Sequence, residues 1–155
     1  MGQIFARTTT AFEAYTSGQT KDVEAGLMAS GDLGYIDGAG RLFVVGRDDE
    51  MIVSGGENVY PVEVEKALAT HPAVVEVSAI GVDDEQFGQR LVAFVVLAPG
   101  ASATPEMLKQ HVRENLANYK VAREVVLLHE LPRNEIGKIM RGELKARLVG
   151  TGQQS

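Results

Sequence analysis

The residue with the clearest chemical potential is Lys138, in the segment LPRNEIGKIMRGEL at residues 131–144. Arg133 and Arg141 flank it, and the pattern predicts a glycine-containing loop between a strand and a helix. A lysine on such a loop can reach another surface, and its compact ammonium suits phosphate oxygens. The segment therefore suggests contact with a phosphate-bearing ligand; an ordinary solvated lysine is the other interpretation.

Other common chemical motifs are absent from the sequence. A Walker A loop would need glycine at Pro132 and serine or threonine at Ile139. The histidines lack metal-ligand spacing; they are His71, His111 and His129. Because the chain has no cysteine, it offers no disulfide, no thiol nucleophile and no thiolate metal ligand. We therefore expect no metal ligands among its residues.

A second segment, GRDDEMIVSGGENVYPVEVE at Gly46–Glu65, is dense in special chemistry. It combines an arginine, three consecutive acids, an apolar strand, a Gly-Gly turn and the acidic start of a helix. A plain scaffold does not need that combination, so this segment is a second candidate for function.

Turn and helix signals position these two segments. Leu33–Ile36 and Leu42–Val45 enclose the turn sequence DGAG, which predicts a hairpin. Pro61 suits the first turn of a helix. The helical spacing of apolar positions that follows predicts one buried face, formed by Val64, Ala67, Leu68 and His71.

Strands and helices then alternate along the chain. The predicted strands are Val74–Val82, Leu91–Leu97 and Glu124–Leu128. One predicted helix begins after Thr104 as its N-cap, and another spans Arg141–Leu148. Leu91–Leu97 is apolar throughout, which is typical of a central strand. The predicted fold class is α+β, a small mixed β-sheet with flanking helices plus a two-stranded hairpin.

Charge and hydropathy limit the partners. The net charge of −6 argues against a nucleic-acid binder. Residues 106–155 nevertheless carry nine basic and six acidic side chains, which could serve an anionic small molecule or form a mixed, solvated surface. The sequence has neither a transmembrane stretch nor a signal peptide, so we expect a cytoplasmic protein.

Four segments follow one another along the chain: SGDLGYID at 30–37, the Gly46–Glu65 segment, LANYK at 116–120 and LPRNEIGKIMR at 131–141. Together they resemble the C-terminal part of the adenylate-forming enzymes, namely acyl- and aryl-CoA synthetases, peptide-synthetase adenylation domains and firefly luciferase. The likeness covers nearly the whole chain. It implies the fold of the mobile C-terminal domain of such an enzyme.

The resemblance assigns the adenylation roles. Asp32 looks like the acid that holds both ribose hydroxyls of ATP, and Arg47 like the arginine that contacts the ribose or phosphates. Asp49 matches the hinge about which the domain rotates. Lys138 matches the lysine that bridges the substrate carboxylate and the α-phosphate.

The resemblance also assigns contacts with CoA. After rotation, one loop would line the tunnel for the pantetheine arm; its residues are Ser54, Gly55, Gly56 and Glu57. Phe87 would stack on the CoA adenine, although simple packing explains this ring equally well. Tyr119 and Lys120 would make further contacts with CoA.

From the resemblance we expect three parts: residues 1–47 from the end of a large N-terminal AMP-binding domain, 48–149 as the C-terminal lid domain, and 150–155 as a disordered tail. The phosphate loop and acyl pocket of the large domain are not in this sequence. The whole enzyme would convert a carboxylate, ATP with Mg²⁺, and CoA into acyl-CoA, AMP and pyrophosphate. We expect a fatty acid as the substrate and no activity from this chain alone.

Two alternatives remain. An aryl-CoA ligase would share the same C-terminal domain. A stand-alone nucleotide- or CoA-binding module, or an interaction module, belongs to a different functional class.

Overall fold

The computed structural model of the protein describes residues 1–6, 23–24 and 27–151. The chain divides into two compact units, Met1–Asp49 and Glu50–Ser155. In the described part, no helix is both long and apolar enough to cross a membrane.

The described residues of the first unit form an antiparallel sheet with the strands β1 (Gly2–Ala6), β2 (Val23–Glu24), β3 (Leu27–Ile36) and β4 (Leu42–Arg47). Strand β3 pairs with each of the other three. The predicted hairpin is β3–β4, and the structure places it within this larger sheet. Asp37 closes its turn, because its Oδ1 accepts hydrogen bonds from the amides of Arg41 and Ala39, both at 2.9 Å. The Arg41 amide is the main cause that lowers the pKa of Asp37.

The second unit contains a mixed sheet of five strands: β5 (Ile52–Ser54), β6 (Glu57–Val59), β7 (Val74–Asp84), β8 (Gly88–Leu97) and β9 (Glu124–Leu128). Strand β8 is central, since it runs antiparallel to β7 and β5 and parallel to β9. The predicted central strand and the α+β fold class are confirmed.

Three helices flank this sheet: α1 (Pro61–Ala69), α2 (Pro105–Asn115) and α3 (Arg141–Thr151). Thr104 caps α2 as predicted, because its side chain accepts a hydrogen bond from the amide of Met107 at 3.2 Å.

Two predicted helix features are wrong. His71 lies beyond the end of α1 and not on its buried face. A proline disfavours helical geometry at the residue before it, and His71 precedes Pro72. At the other end of the chain, α3 continues to Thr151 and so runs past its predicted end at Leu148, into the first residues of the predicted tail. The rest of that predicted tail, 152–155, lies outside the described residues.

The core of the second unit covers both faces of the sheet. Alternate residues of β8 point to opposite faces, so Ala93 and Val95 join a different cluster from Val92 and Phe94. Helices α1 and α2 complete the first cluster with Val64, Leu68, Leu108 and Val112. The second cluster is completed from the α3 side by Leu131 and Leu144. Burial on both faces explains why β8 has no polar alternation.

One buried hydroxyl has no hydrogen-bond partner in the described part of the chain. Ser78 lies on β7 with 1% of its surface exposed, and its Oγ is unsatisfied. An unpaired buried hydroxyl costs about 1–3 kcal/mol of stability. We expect Ser78→Ala to leave the free energy of unfolding unchanged or to raise it by about 1 kcal/mol, measured by urea denaturation.

The matched control is Thr104→Ala, which removes a hydroxyl that does have a partner. It should lower the free energy of unfolding by about 1 kcal/mol. A comparable loss of stability in Ser78→Ala would show that its hydroxyl is satisfied after all.

Candidate functional site

Lys138 lies in a tightly closed loop between β9 and α3. Backbone hydrogen bonds join the two sides, from the Asn134 amide to the Lys138 carbonyl at 2.9 Å and from the Met140 amide to the Pro132 carbonyl at 2.8 Å. The side chain of Asn134 accepts a further bond from the Lys138 amide at 2.9 Å. Gly137 has a φ of +82°, a left-handed conformation that favours glycine. The backbone at Lys138 is therefore well fixed.

Arg133 braces the same loop from the side. Its guanidinium donates to the Gly137 carbonyl at 2.8 Å and forms an ion pair with Glu76 on β7. Within the described residues, the ammonium of Lys138 has no hydrogen bond or ion pair, and the side chain is exposed. The arrangement is a solvated cation on a braced loop, which can meet an anion brought to it.

Arg141, the first residue of α3, contacts two carboxylates. It forms an ion pair with Glu50 and approaches Glu65 of α1 at 3.6 Å. Burial raises the pKa of Glu65, whereas the Ala79 amide, which donates to its Oε1 at 2.8 Å, and the charge of Arg141 act in the opposite direction.

The predicted nucleotide residues of the first unit lie together. Asp32 on β3 and Arg47 on β4 are directly opposite each other in the strand register. Arg47 donates from Nε to Asp49 Oδ1 at 2.9 Å. Its guanidinium lies against Gly31, where a Cβ would approach Nη2 to 3.2 Å. The structure thus brings Asp32, Arg47 and Asp49 to one place.

A two-residue turn, Gly55–Gly56, joins β5 to β6. Their φ angles are +60° and +85°, as in the type I′ turns that suit hairpins. Ser54 and Glu57 pair across this turn. The predicted loop is therefore a bare backbone turn with no side chain at its tip.

Phe87 supports that turn. The Gly55 amide donates to the Phe87 carbonyl at 3.1 Å, and a Cβ on Gly55 would lie 3.5 Å from the ring. Ser54 also pairs with Gly88, the first residue of β8. The structure thus joins two predicted CoA residues that are far apart in sequence.

Arg123 is a candidate site residue that no sequence motif indicated. Its guanidinium carbon lies 3.8 Å from the centre of the Phe87 ring, within the range of a cation–π interaction. The two residues are separated by the whole of β8 and α2, and no motif or periodicity links them. An exposed cation beside a ring and a glycine turn can receive an anionic ligand.

Tyr119 and Lys120 lie in a short 3₁₀ turn, Asn118–Lys120. The Lys120 ammonium is 2.8 Å from both carboxylate oxygens of Glu63 in the first turn of α1. This lysine is mostly buried, whereas Tyr119 is half exposed. The pair with Glu63 gives Lys120 a structural contact, and its predicted contact with CoA stays a prediction.

The described residues contain no group of three or more His, Asp or Glu side chains that could hold a metal ion.

Comparison with known proteins identifies the family. The sequence model described as the AMP-binding enzyme C-terminal domain matches residues 63–138 and ends on the exposed lysine. A 2-succinylbenzoate–CoA ligase from Geobacillus sp. is 46% identical over 125 residues, which are 81% of this chain and 25% of the relative. A 4-chlorobenzoate–CoA ligase from Pseudomonas sp. is 49% identical over 116 residues, 74% of this chain and 22% of the relative.

Among solved structures, a fatty acyl CoA synthetase from Mycobacterium tuberculosis matches with a TM-score of 0.67 and 36% identity, over 83% of this chain and 26% of that one. The chain thus spans about a quarter of the length of these relatives. It carries the C-terminal domain of the adenylate-forming enzymes and is similar over most of its length to the acyl- and aryl-CoA synthetases among them.

Proposed function

We propose that the whole protein is an acid–thiol ligase that joins an aromatic carboxylic acid to CoA through an acyl-adenylate. The observation that carries the chemistry is the solvated ammonium of Lys138 on its braced loop. The substrate class is supported by the two relatives named for 2-succinylbenzoate and 4-chlorobenzoate. The fatty acid expected from the sequence is the second candidate, favoured by the similarity to a fatty acyl CoA synthetase.

The first half-reaction brings two anions together. A carboxylate oxygen attacks the α-phosphorus of ATP while the bond from that phosphorus to pyrophosphate breaks. A cation about 4 Å from a phosphate charge contributes roughly 4 kcal/mol at an effective dielectric near 20. In the proposed mechanism Lys138 supplies this cation, and the bonds of Asn134 and Arg133 keep the loop from rearranging when the anions arrive.

The nucleotide would be held by the Asp32 and Arg47 pair. A carboxylate accepts two hydrogen bonds, one from each ribose hydroxyl, and the neighbouring guanidinium suits the ribose or the phosphates. We assign both residues, and residues 1–47 with them, to the end of a large N-terminal AMP-binding domain. In this proposal Mg²⁺ enters with ATP and is held by its phosphates.

In the second half-reaction the thiol of CoA releases its proton, its sulfur attacks the acyl carbonyl carbon, and the bond from that carbon to the phosphate oxygen breaks as AMP leaves. The Gly55–Gly56 turn has no side chain to obstruct the pantetheine arm. Phe87 would stack on the adenine, and the adjacent Arg123 would meet the phosphates of CoA. Tyr119 and Lys120 complete this surface in the proposal.

A substrate panel tests the acid. The full-length enzyme should turn over 2-succinylbenzoate or 4-chlorobenzoate with a higher kcat/KM than dodecanoate, measured by pyrophosphate release and thioester formation. A preference for dodecanoate would establish the second candidate, and no CoA-dependent product from any acid would contradict the proposal.

Lys138→Ala in the full-length enzyme should slow acyl-adenylate formation by about 10²–10³, because a preorganised cation is lost from the transition state. Thioester formation from supplied acyl-adenylate should persist. Lys145→Ala, an exposed lysine of α3, is the matched control and should change neither step. Equal loss of both half-reactions would refute the assigned role.

Asp49→Pro tests the hinge, since proline fixes φ and should restrict rotation at this residue. The thioester step should suffer more than adenylation, measured by single-turnover assays of each half-reaction. Asp49→Ala removes the same ion pair with Arg47 but leaves the backbone free, so its loss in the thioester step should be much smaller. Identical effects of both substitutions would remove Asp49 as the pivot.

Arg123→Gln should raise the KM for CoA by about 10- to 100-fold, because a hydrogen bond to a charged group is worth about 1.5–3 kcal/mol. Adenylation should be unaffected. Arg113→Gln, an exposed arginine of α2, serves as the control. An unchanged KM for CoA would show that Arg123 only packs on Phe87.

A further inference from the structure

The guanidinium of Arg141 connects two regions that are distant in sequence. One partner is Glu50, the residue that follows Asp49, and the other is Glu65 in α1. Arg141 itself begins α3, three residues after Lys138. One side chain therefore joins the end of the lysine loop to the first residue of the second unit.

The chemistry of this contact is specific to arginine. A planar guanidinium presents five donors in a fixed fork and can engage two carboxylates at once, which a single ammonium does less well. Glu65 is held in place by the Ala79 amide of β7 at 2.8 Å, so it gives Arg141 a fixed reference point in the sheet. All three side chains are partly shielded, with 39%, 32% and 19% exposure for Arg141, Glu50 and Glu65.

The contact is not needed to attach α3 to the sheet. Leu144, fully buried in the second hydrophobic cluster, already anchors the helix. Met140 links loop and helix, since its amide donates to the Pro132 carbonyl at 2.8 Å and its carbonyl accepts from the Leu144 amide at 3.3 Å. Arg141 adds ion-pair contacts with Glu50 and Glu65 at the point where the loop becomes the helix.

We propose that Arg141 is a positioning residue for Lys138. By holding Glu50 and Glu65 together with the start of α3, it makes the lysine loop move as one body with the residue that follows the hinge. Any rotation about Asp49 is then transmitted directly to the lysine. This inference rests on the proposed roles of Lys138 and Asp49.

The test uses the full-length enzyme with Arg141→Gln, Arg141→Lys and Glu50→Gln. Both glutamine variants should slow acyl-adenylate formation about tenfold, because misplacing a catalytic group by a fraction of an ångström to an ångström has effects of about this size or more. Thioester formation from supplied acyl-adenylate should stay within about twofold, since the Gly55–Gly56 turn does not depend on this contact. Arg141→Lys should recover part of the adenylation rate.

The decisive measurement combines Arg141→Gln with Lys138→Ala. If Arg141 acts through Lys138, the double variant should form acyl-adenylate no more slowly than Lys138→Ala alone. Lys145 lies on the same helix as Arg141 and forms an exposed pair with Asp83 of β7; Lys145→Gln breaks that pair, is the control and should have no effect. Melting temperatures of all variants are measured alongside, and Glu50→Gln carries the test if Arg141→Gln does not fold.

Three results would overturn the inference: unchanged adenylation in both glutamine variants, equal slowing of both half-reactions, or full additivity with Lys138→Ala. A separate outcome concerns the proposed function itself. If Lys138→Ala leaves adenylation intact, the role of the lysine is wrong and the role of Arg141 falls with it. If Lys138→Ala is defective and the Arg141 and Glu50 variants are normal, only the inference is wrong.

Discussion

The second unit depends on the burial of strand β8 on both of its faces. Its central residues, Leu91 to Val95, are almost completely inaccessible, and three other strands hydrogen-bond to it. No polar side chain can occupy that stretch without a large desolvation cost, so the chemistry has to be carried elsewhere. The candidate functional side chains of this unit accordingly lie in turns and loops or at the ends of strands, where a rigid sheet holds them.

Lys120 and Lys138 show how neighbours decide what a cation can do. Lys120 is within 2.8 Å of both oxygens of Glu63 and is largely shielded from solvent. Lys138 is held by its backbone, through Asn134, while its ammonium stays solvated. Sequence alone gives both residues the same charge and reach. Only the three-dimensional partners separate a lysine that ties two elements together from one that is available to an incoming anion.

Local signals carried most of the correct fold predictions. Strand β9 was predicted with its observed bounds, and the cap by Thr104 was predicted from the residues around it. The pairing of β1 with β3 was not predicted, because it joins residues far apart in the chain and local sequence signals do not report such a contact. In the same way, the sequence motifs pointed to Lys138 and the glycine turn, whereas the contact of Arg123 with Phe87 and the Arg141 bridge join distant segments and leave no sequence pattern.

The strand register also separates the two loops in space. The glycine turn lies at the start of β8, because Ser54 pairs with Gly88. The lysine loop lies near the other end of β8, because Arg133 forms an ion pair with Glu76, and Glu76 is opposite Val96. Eight residues of extended strand span roughly 26 Å. From this spacing we infer that one reacting carbon meets the two loops in turn. On the proposed assignment, the sheet acts as a fixed spacer that makes the two half-reactions mutually exclusive, so that activation must finish before the thiol is admitted.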